Sequence, residues 1–396
     1  MRQFDVTLDH ALDDSLLTEV AYWINFASQQ VVKFHIDPIG RAAIRVWATD
    51  DADPDEISRK IRTTVAWSVA EQQGHDGGDD SPRSVRFGPS RGPAGLTPDD
   101  AVTAGALTPL GIADVVIGEP LVTLIRGLDE TFRELAAGFG AREAAYSTLL
   151  PAQYLERLRY FDAFPQNVLF PVHLDTDIDT AQRYVNQTLD NQGQPPRDDF
   201  DGFAPRDQVL APAACFHVYQ GLEGRHLTEN TAITTLGRCY RYESRNAVLI
   251  ERLWDFSMRE VVFVGSPDYV RSCRDESRRR VLELVERWQL GGTIVPGHDP
   301  FFLRGDRPDA VVDAQPKFEL RLDLPYKDGD FACASFNVHG TFFGSAGEIV
   351  DSSGEIAWTG CTAFGLERWA WAILAQHGLD PEGWPADLRR LHKQAA

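Results

Sequence analysis

From Val209 onward, short runs rich in β-branched and aromatic residues follow one another between turns, without the regular strand–helix alternation that a parallel sheet requires. Phe318 to Leu324 and Ala332 to Val338 are two such runs. The exception is Asp268 to Trp288, a charged stretch that reads as a helix. The pattern predicts an α+β fold, a mainly antiparallel sheet flanked by helices, rather than a Rossmann unit. Neither GxGxxG nor GxxxxGK followed by Ser or Thr occurs, so both standard phosphate-binding glycine loops are missing.

The N-terminal region has a different pattern. Phe4, Val6 and Leu8 alternate as a strand, and Ser15 to Ser28 places Leu16, Val20, Trp23 and Ile24 on one helical face. Val31 to Ile36 and Ala42 to Trp47, separated by Asp37, Pro38 and Gly40, read as a hairpin. Asp53, Pro54 and Glu56 then start a helix running to about Ala70. Residues 1–72 are thus expected to form a small α/β domain of β-α-β-β-α order, and 101–396 the main domain. Residues 73–100, poor in apolar side chains and rich in Gly, Asp, Ser, Pro and Arg, read as a flexible linker. Farther on, Leu121 to Phe139 and Tyr154 to Phe164 read as helices, and Asn167 to Val172 as an apolar strand entered through Pro165.

The 396 residues are 43% hydrophobic and 10% aromatic, enough for a substantial core. No run reaches the roughly 18 to 20 apolar residues of a membrane span, and MRQFDVTLDH lacks a basic and an apolar signal region, so a cytoplasmic location is expected. Cys215, Cys239, Cys273, Cys333 and Cys361 are odd in number and scattered, which favours reduced thiols or metal ligands over a disulfide framework. A net charge of −20 disfavours a nucleic-acid partner, because such affinity comes mostly from Lys and Arg meeting phosphates.

Two separated segments carry the chemistry: RYESRNAVLIERLWDFSMRE, from Arg241 to Glu260, and GCTAFGLER, from Gly360 to Arg368. Arg241 and Glu243 stand at i and i+2, expected on one face of a strand, and Arg252 and Phe256 follow in R-x-x-x-F spacing. R-x-E alone is commonly a cross-strand ion pair, but the joint occurrence, flanked by SMREVVFVG and TGCTAFGLERW, is more specific. With these strings the chain resembles class II aminoacyl-tRNA synthetases over roughly Gly105 to His377. The resemblance is to the zinc-dependent seryl branch and its shortened relatives, the amino acid:carrier-protein ligases. It implies that Arg241 and Arg252 contact phosphates, Glu243 accepts from the adenine amino group, Phe256 covers the adenine face, and Arg368 binds the γ-phosphate. Such cations suit a reaction that builds charge on the α-phosphate and on pyrophosphate. Arg241 and Arg368 are therefore the candidate catalytic residues. The first family motif, a helix leading into a strand, is matched poorly, by YFDAFPQNVLF.

The same resemblance maps three zinc ligands onto Cys215, Glu260 and Cys361. Two thiolates and a carboxylate form a sensible Zn²⁺ set with a fourth position open, which in the family takes the amino group of the amino acid. From spacing alone, the three read more readily as unrelated side chains, two of them small buried cysteines, and the flanking strings LAPAACFHVY, FSMREVVFVG and WTGCTAFGLER reverse that reading. Cys239, Cys273 and Cys333 are left as structural thiols. Ser335, Asn337 and His339, in ASFNVHG, are candidates for the amino-acid pocket, although a His beside an apolar strand is more often a packing residue. Mg²⁺ is expected with ATP, but Phe331 and Ala332 replace the acid many relatives carry there, leaving Glu319 and Glu348 as substitutes. Arginines 271, 274, 278, 279 and 280 read as a solvated helix face with Glu276 and Glu283, or as an acidic-partner dock. The family's carrier-docking element maps to Asp179 to Asn191, which holds only Arg183 as a cation.

The resemblance thus implies an ATP-dependent ligase that adenylates a small α-amino acid, glycine, alanine or serine-like, and passes it to the phosphopantetheine thiol of an acyl carrier protein. A homodimer is implied as well. The alternatives are a seryl-type tRNA ligase and a non-catalytic paralogue. Seven Lys or Arg against twelve Asp or Glu in residues 1–72 count against tRNA binding there.

Overall fold

The computed structural model describes residues 1–13, 16–75, 84–89, 95–196, 200–204, 207–297, 317–327 and 329–396. At the N-terminus, β1 (Arg2–Thr7), α1 (Leu17–Ala27), β2 (Val31–Ile36), β3 (Ala43–Ala48) and α2 (Pro54–His75) follow the predicted order. The strands pair antiparallel in the order β1-β3-β2. Their period-2 pattern turns Val6, Ile44 and Val46 to one face, where Val20 and Ile24 of α1 and Ile57 and Ile61 of α2 close a core of their own. Of the segment read as a linker, 76–83 and 90–94 lie outside the described residues. α2 runs into it, and β4 (Val85–Phe87) is a strand of the main sheet.

The chain continues through α3 (Pro98–Thr103), the hairpin β5 (Leu107–Gly111) and β6 (Asp114–Ile117), α4 (Leu121–Ala137), β7 (Arg142–Glu143) and β8 (Leu149–Pro151). Next come α5 (Ala152–Arg157), α6 (Tyr160–Ala163), α7 (Ile178–Asp190), β9 (Gln208–Leu210) and α8 (Cys215–Gly221). The remainder is β10 (Thr231–Tyr240), β11 (Asp255–Gly265), α9 (Pro267–Arg287), β12 (Gly292–Gly297), β13 (Lys317–Leu324), β14 (Gly329–Gly340), α10 (Phe342–Ala346), β15 (Trp358–Gly365), α11 (Leu366–His377) and α12 (Ala386–Ala395).

The main sheet runs β4-β12-β13-β14-β15-β11-β10-β7, antiparallel except where β7 lies parallel to β10. Strand β13 shows how sequence sets its two faces. Phe318, Leu320, Leu322 and Leu324 are buried in the larger core, while Lys317, Glu319, Arg321 and Asp323 point the other way. Against the apolar face lie α4, α9 and α11, and α12 packs on α4. In α4, Leu121, Leu124, Leu128, Phe132 and Leu135 recur at helical spacing and are all buried. Each such side chain contributes about 1.5–3 kcal/mol.

On the opposite face α8 and α10 pack over a smaller cluster containing Cys215, Val262 and Cys361. Register draws one row of side chains across this face, from Thr235 through Glu260, Ala363 and Ser335 to Glu319. The next row holds Asn337 and Cys361.

Two local expectations change. Residues 167–172 form no strand: Pro165–Asn167 is a 3-10 turn, and Phe170 stacks on Phe161 at 5.7 Å while Val172 is exposed. A helix leading into a sheet strand is found not at YFDAFPQNVLF but upstream, where α4 runs toward β7.

Candidate active site

Cys215 opens α8, Glu260 sits mid-strand in β11 and Cys361 in β15. All three are buried, and one ligand atom from each lies within 4.8 Å of the others, the span of a single coordination sphere. Glu260 Oε1 accepts from the Ala214 amide at 2.9 Å, while Oε2 has no hydrogen-bond partner among the described residues. Three acids compete for negative charge here. The hydrogen bond from Cys215 holds Cys361 low, with His339 and Asn337 adding to it, and Cys215 is correspondingly pushed up. Burial, then the Cys361 charge, raises Glu260 to about 8. A divalent cation would let all three ionise and would engage the orphaned oxygen, so the residues fit the zinc ion that the resemblance implies.

Ser335, Asn337 and His339 converge on Cys361. Asn337 Nδ2 donates to Ser335 Oγ at 3.0 Å and to Cys361 Sγ at 3.3 Å, and His339 Nε2 lies 3.9 Å from the same sulfur. Tyr219, which the sequence reading passed over, joins them: its hydroxyl is 3.3 Å from His339 Nδ1 and its ring stacks on Phe343 at 4.1 Å. The one signal for it was its place four residues after Cys215, on the same helical face. Gly360 beside Cys361 is required by close approach, since a Cβ there would stand 2.7 Å from both Asn337 O and Val270 Cγ1.

The arginines gather farther along the same face. β10 ends at Tyr240, so Arg241 and Glu243 lie just beyond the strand rather than on it. Arg241 N still donates across to Trp254 O, the Tyr242 amide on the other side donates to Asn167 O, and a 3-10 turn starts at Ser244. Arg241 nonetheless reaches Phe256, its guanidinium 5.5 Å from the ring, and its Nε donates to Pro212 O at 2.9 Å. Arg252 pairs with buried Glu243 at 2.9 Å. Arg368, in the first turn of α11, donates to Glu251 O at 2.7 Å and to Ala332 O at 3.0 Å. Burial, then the Arg252 cation with Glu243 opposing it, lowers Arg368 to about 10. Gathered cations of this kind suit a polyphosphate.

Glu367 was also missed, although it lies within GLER. Both its carboxylate oxygens accept from Ser257 N at 2.9 Å, and burial raises its carboxyl. Of the Mg²⁺ candidates, Glu319 is held by Lys317 at 3.4 Å and Arg321 at 3.2 Å, and Glu348 is exposed on the turn after α10. The α9 arginines are less solvated than expected. Arg271 stands over Trp358 at 4.2 Å, Arg278 over Phe318 at 4.5 Å and Arg280 over Phe139 at 4.3 Å, while Arg279 pairs with Glu276 and Glu283.

No protein-family model matches the chain. It is 30% identical over 286 residues to the type-2 serine–tRNA ligase of Methanocaldococcus jannaschii, covering 69% of this chain and 55% of that protein. The chain thus spans about half the length of that relative. It is 31% identical over 281 residues to amino acid–acyl-carrier-protein ligase 1 of Bradyrhizobium diazoefficiens, covering 70% of this chain and 83% of that one. In fold it is similar to M. kandleri SerRS, solved in complex with A. aeolicus tRNASec, with a TM-score of 0.71 at 20% identity over 99% of this chain and 77% of that chain. The sheet order, the site and these likenesses agree: the chain belongs to the class II synthetase-like family that contains the type-2 serine–tRNA ligases and the amino acid–acyl-carrier-protein ligases.

Proposed function

We propose that this chain is a ligase that uses ATP to adenylate a small α-amino acid and passes it to the phosphopantetheine thiol of a carrier protein. One observation carries the reading: Glu260 of the buried trio and Phe256 beside Arg241 project from the same face of β11, four residues apart. Four strand residues span about 13 Å, the scale of an amino acid joined to AMP. The amino acid would lie between the trio and Asn337, Ser335 and His339, and the triphosphate among Arg241, Arg252 and Arg368. Zinc held by Cys215, Glu260 and Cys361 would supply an open position for the α-amino group. The arginines hold the nucleotide while a carboxylate oxygen of the amino acid bonds to the α-phosphorus and pyrophosphate leaves. They also stabilise the charge that develops on the phosphates. The carrier thiolate then attacks the carbonyl carbon and AMP leaves.

The excess of acids in residues 1–72 supports the carrier-protein reading over the tRNA reading. On α7, the segment implied as the docking element, Ile178, Val185 and Leu189 are exposed and Arg183 pairs with Asp201, which suits apolar rather than charge-led docking. A seryl-type tRNA ligase is the second reading, favoured by a fold likeness to M. kandleri SerRS that extends over the N-terminal unit.

The test is ATP–pyrophosphate exchange across the common amino acids, followed by transfer from the adenylate to a phosphopantetheinylated carrier protein or to tRNA. Exchange with one small amino acid and thioester formation support the proposal. Charging of tRNA alone supports the second reading, and absence of exchange with every amino acid counts against both.

A further inference from the structure

The N-terminal unit touches the nucleotide loop through one helix. While α1 buries Val20 and Ile24 in its own core, Tyr22 and Asn25 turn toward residues 244–252. Asn25 Nδ2 donates to Asn246 Oδ1 at 2.8 Å, Asn246 Nδ2 donates back to Tyr22 O at 3.2 Å, and Ser244 Oγ donates to Asn25 O at 3.1 Å. Arg245 Nη2 donates to Gln29 O at 2.7 Å. The Tyr22 ring lies 5.8 Å from the Arg252 guanidinium, and its hydroxyl donates to Asn167 Oδ1 at 3.3 Å.

This loop needs holding. Ser244 and Ile250 both adopt left-handed backbone, with φ of 47° and 54°, a conformation that side chains other than glycine keep only when their surroundings impose it. Ser244 is gripped by the Asn25 carbonyl, and both strained residues lie on the stretch between Glu243 and Arg252. Tyr22 also feels the charges of the site. Burial raises its hydroxyl to about 12, with Glu243 adding to the rise and Arg252 and Arg241 opposing it.

We propose that Tyr22 and Asn25 are positioning residues of the ATP site, contributed by the N-terminal unit of the same chain, which fix the loop bearing Glu243 and Arg252 in its nucleotide-receiving form. The inference rests on the reading of Arg241, Glu243, Arg252 and Arg368 as ATP contacts. By linkage, ATP must in turn tighten the seat of the N-terminal unit, so whatever that unit binds or loses is felt at the nucleotide.

The test uses the full chain, with ATP affinity measured by calorimetric titration and ATP and amino-acid KM by pyrophosphate exchange. Asn25→Ala, Tyr22→Ala and, from the loop side, Ser244→Ala are each expected to weaken ATP binding about tenfold, with amino-acid KM unchanged. Tyr22→Phe keeps the ring over Arg252 and should recover most of the affinity. Asn25→Ala added to Asn246→Ala should be no worse than Asn246→Ala alone, since Asn246→Ala already removes the Asn25 contact. Arg45→Ala, on the outer face of the small sheet, should bind ATP as the wild type does. Folded variants with wild-type ATP affinity, or with ATP and amino-acid KM rising together, would overturn the proposal. A wild-type protein that does not bind ATP would overturn the reading beneath it.

Discussion

Asn337 on β14 donates from its side-chain amide to the sulfur of Cys361 on β15, 3.3 Å away, so the buried thiol of one strand, a ligand in the proposed zinc site, is oriented from the next. Partners of this kind typically change metal affinity about 10–100-fold when removed. Asn337→Ala is therefore expected to lose zinc to a competing chelator at least about tenfold more readily than the wild type. Cys361→Ser should purify with little zinc and little exchange activity. Full zinc occupancy in Cys361→Ser, by elemental analysis, would remove the metal assignment.

Arg368 is half-buried and bonded through two guanidinium nitrogens to backbone carbonyls, which leaves the rest of the fork to meet a ligand. A lysine cannot reproduce that geometry. Both Arg368→Lys and Arg368→Ala are expected to lower exchange rates by about 10²–10³-fold. The check is steady-state kinetics at saturating amino acid; near-normal rates in Arg368→Lys would show that only a point charge is needed.

Arg259, 2% exposed, joins Asp129 of α4 at 2.7 and 3.0 Å and Glu143 of β7 at 2.9 Å. Its removal strands Asp129 against the sheet without its counter-charge. Arg259→Ala should destabilise the protein by about 3–5 kcal/mol, read as a lower urea midpoint with unchanged slope.

Glu367 has its carboxyl raised from 4.5, first by burial. A raised folded value means the native state holds a proton that the unfolded chain releases. The associated stability is therefore full below 4.5 and is lost as pH rises through the higher folded value. Glu367→Gln removes this titration. Thermal midpoints of wild type and variant, compared from pH 4 upward, should show the wild type losing ground as pH rises; parallel curves would contradict it.

Much of the fold was legible because local pattern and burial agree. The alternation of Phe318, Leu320, Leu322 and Leu324 with charged residues, and the helical stripe of Leu121, Leu124 and Leu128, each name the face they bury. Cys215, Glu260 and Cys361 were legible only through their flanking strings, since nothing in their spacing says that β11 and β15 are neighbours.

What escaped the sequence depends on contacts between distant segments. Past Tyr240 the chain gives up regular pairing: Arg241 N keeps a bond to Trp254 O, but the amide of Tyr242 is held by Asn167, far upstream. Asn167 to Val172 has the apolar character of a strand, yet its side chains find aromatic partners such as Phe161 rather than a ladder. Tyr22 and Asn25 lie off the apolar stripe of α1, and Asn246, which bonds to both, is more than two hundred residues away.

Strand β4 has a consequence for how this protein can be cut. Residues 85–87 close one edge of the main sheet by pairing with β12, with Phe87 buried in the larger core and Arg86 paired with Asp323. A fragment begun at residue 101, where composition places the start of the large domain, would leave β12 with an open row of backbone donors and acceptors, a template for chain-to-chain pairing. Its behaviour in solution would then report on that exposed edge, and poor yield or aggregation of the shortened piece would say nothing about whether the N-terminal unit is needed for chemistry.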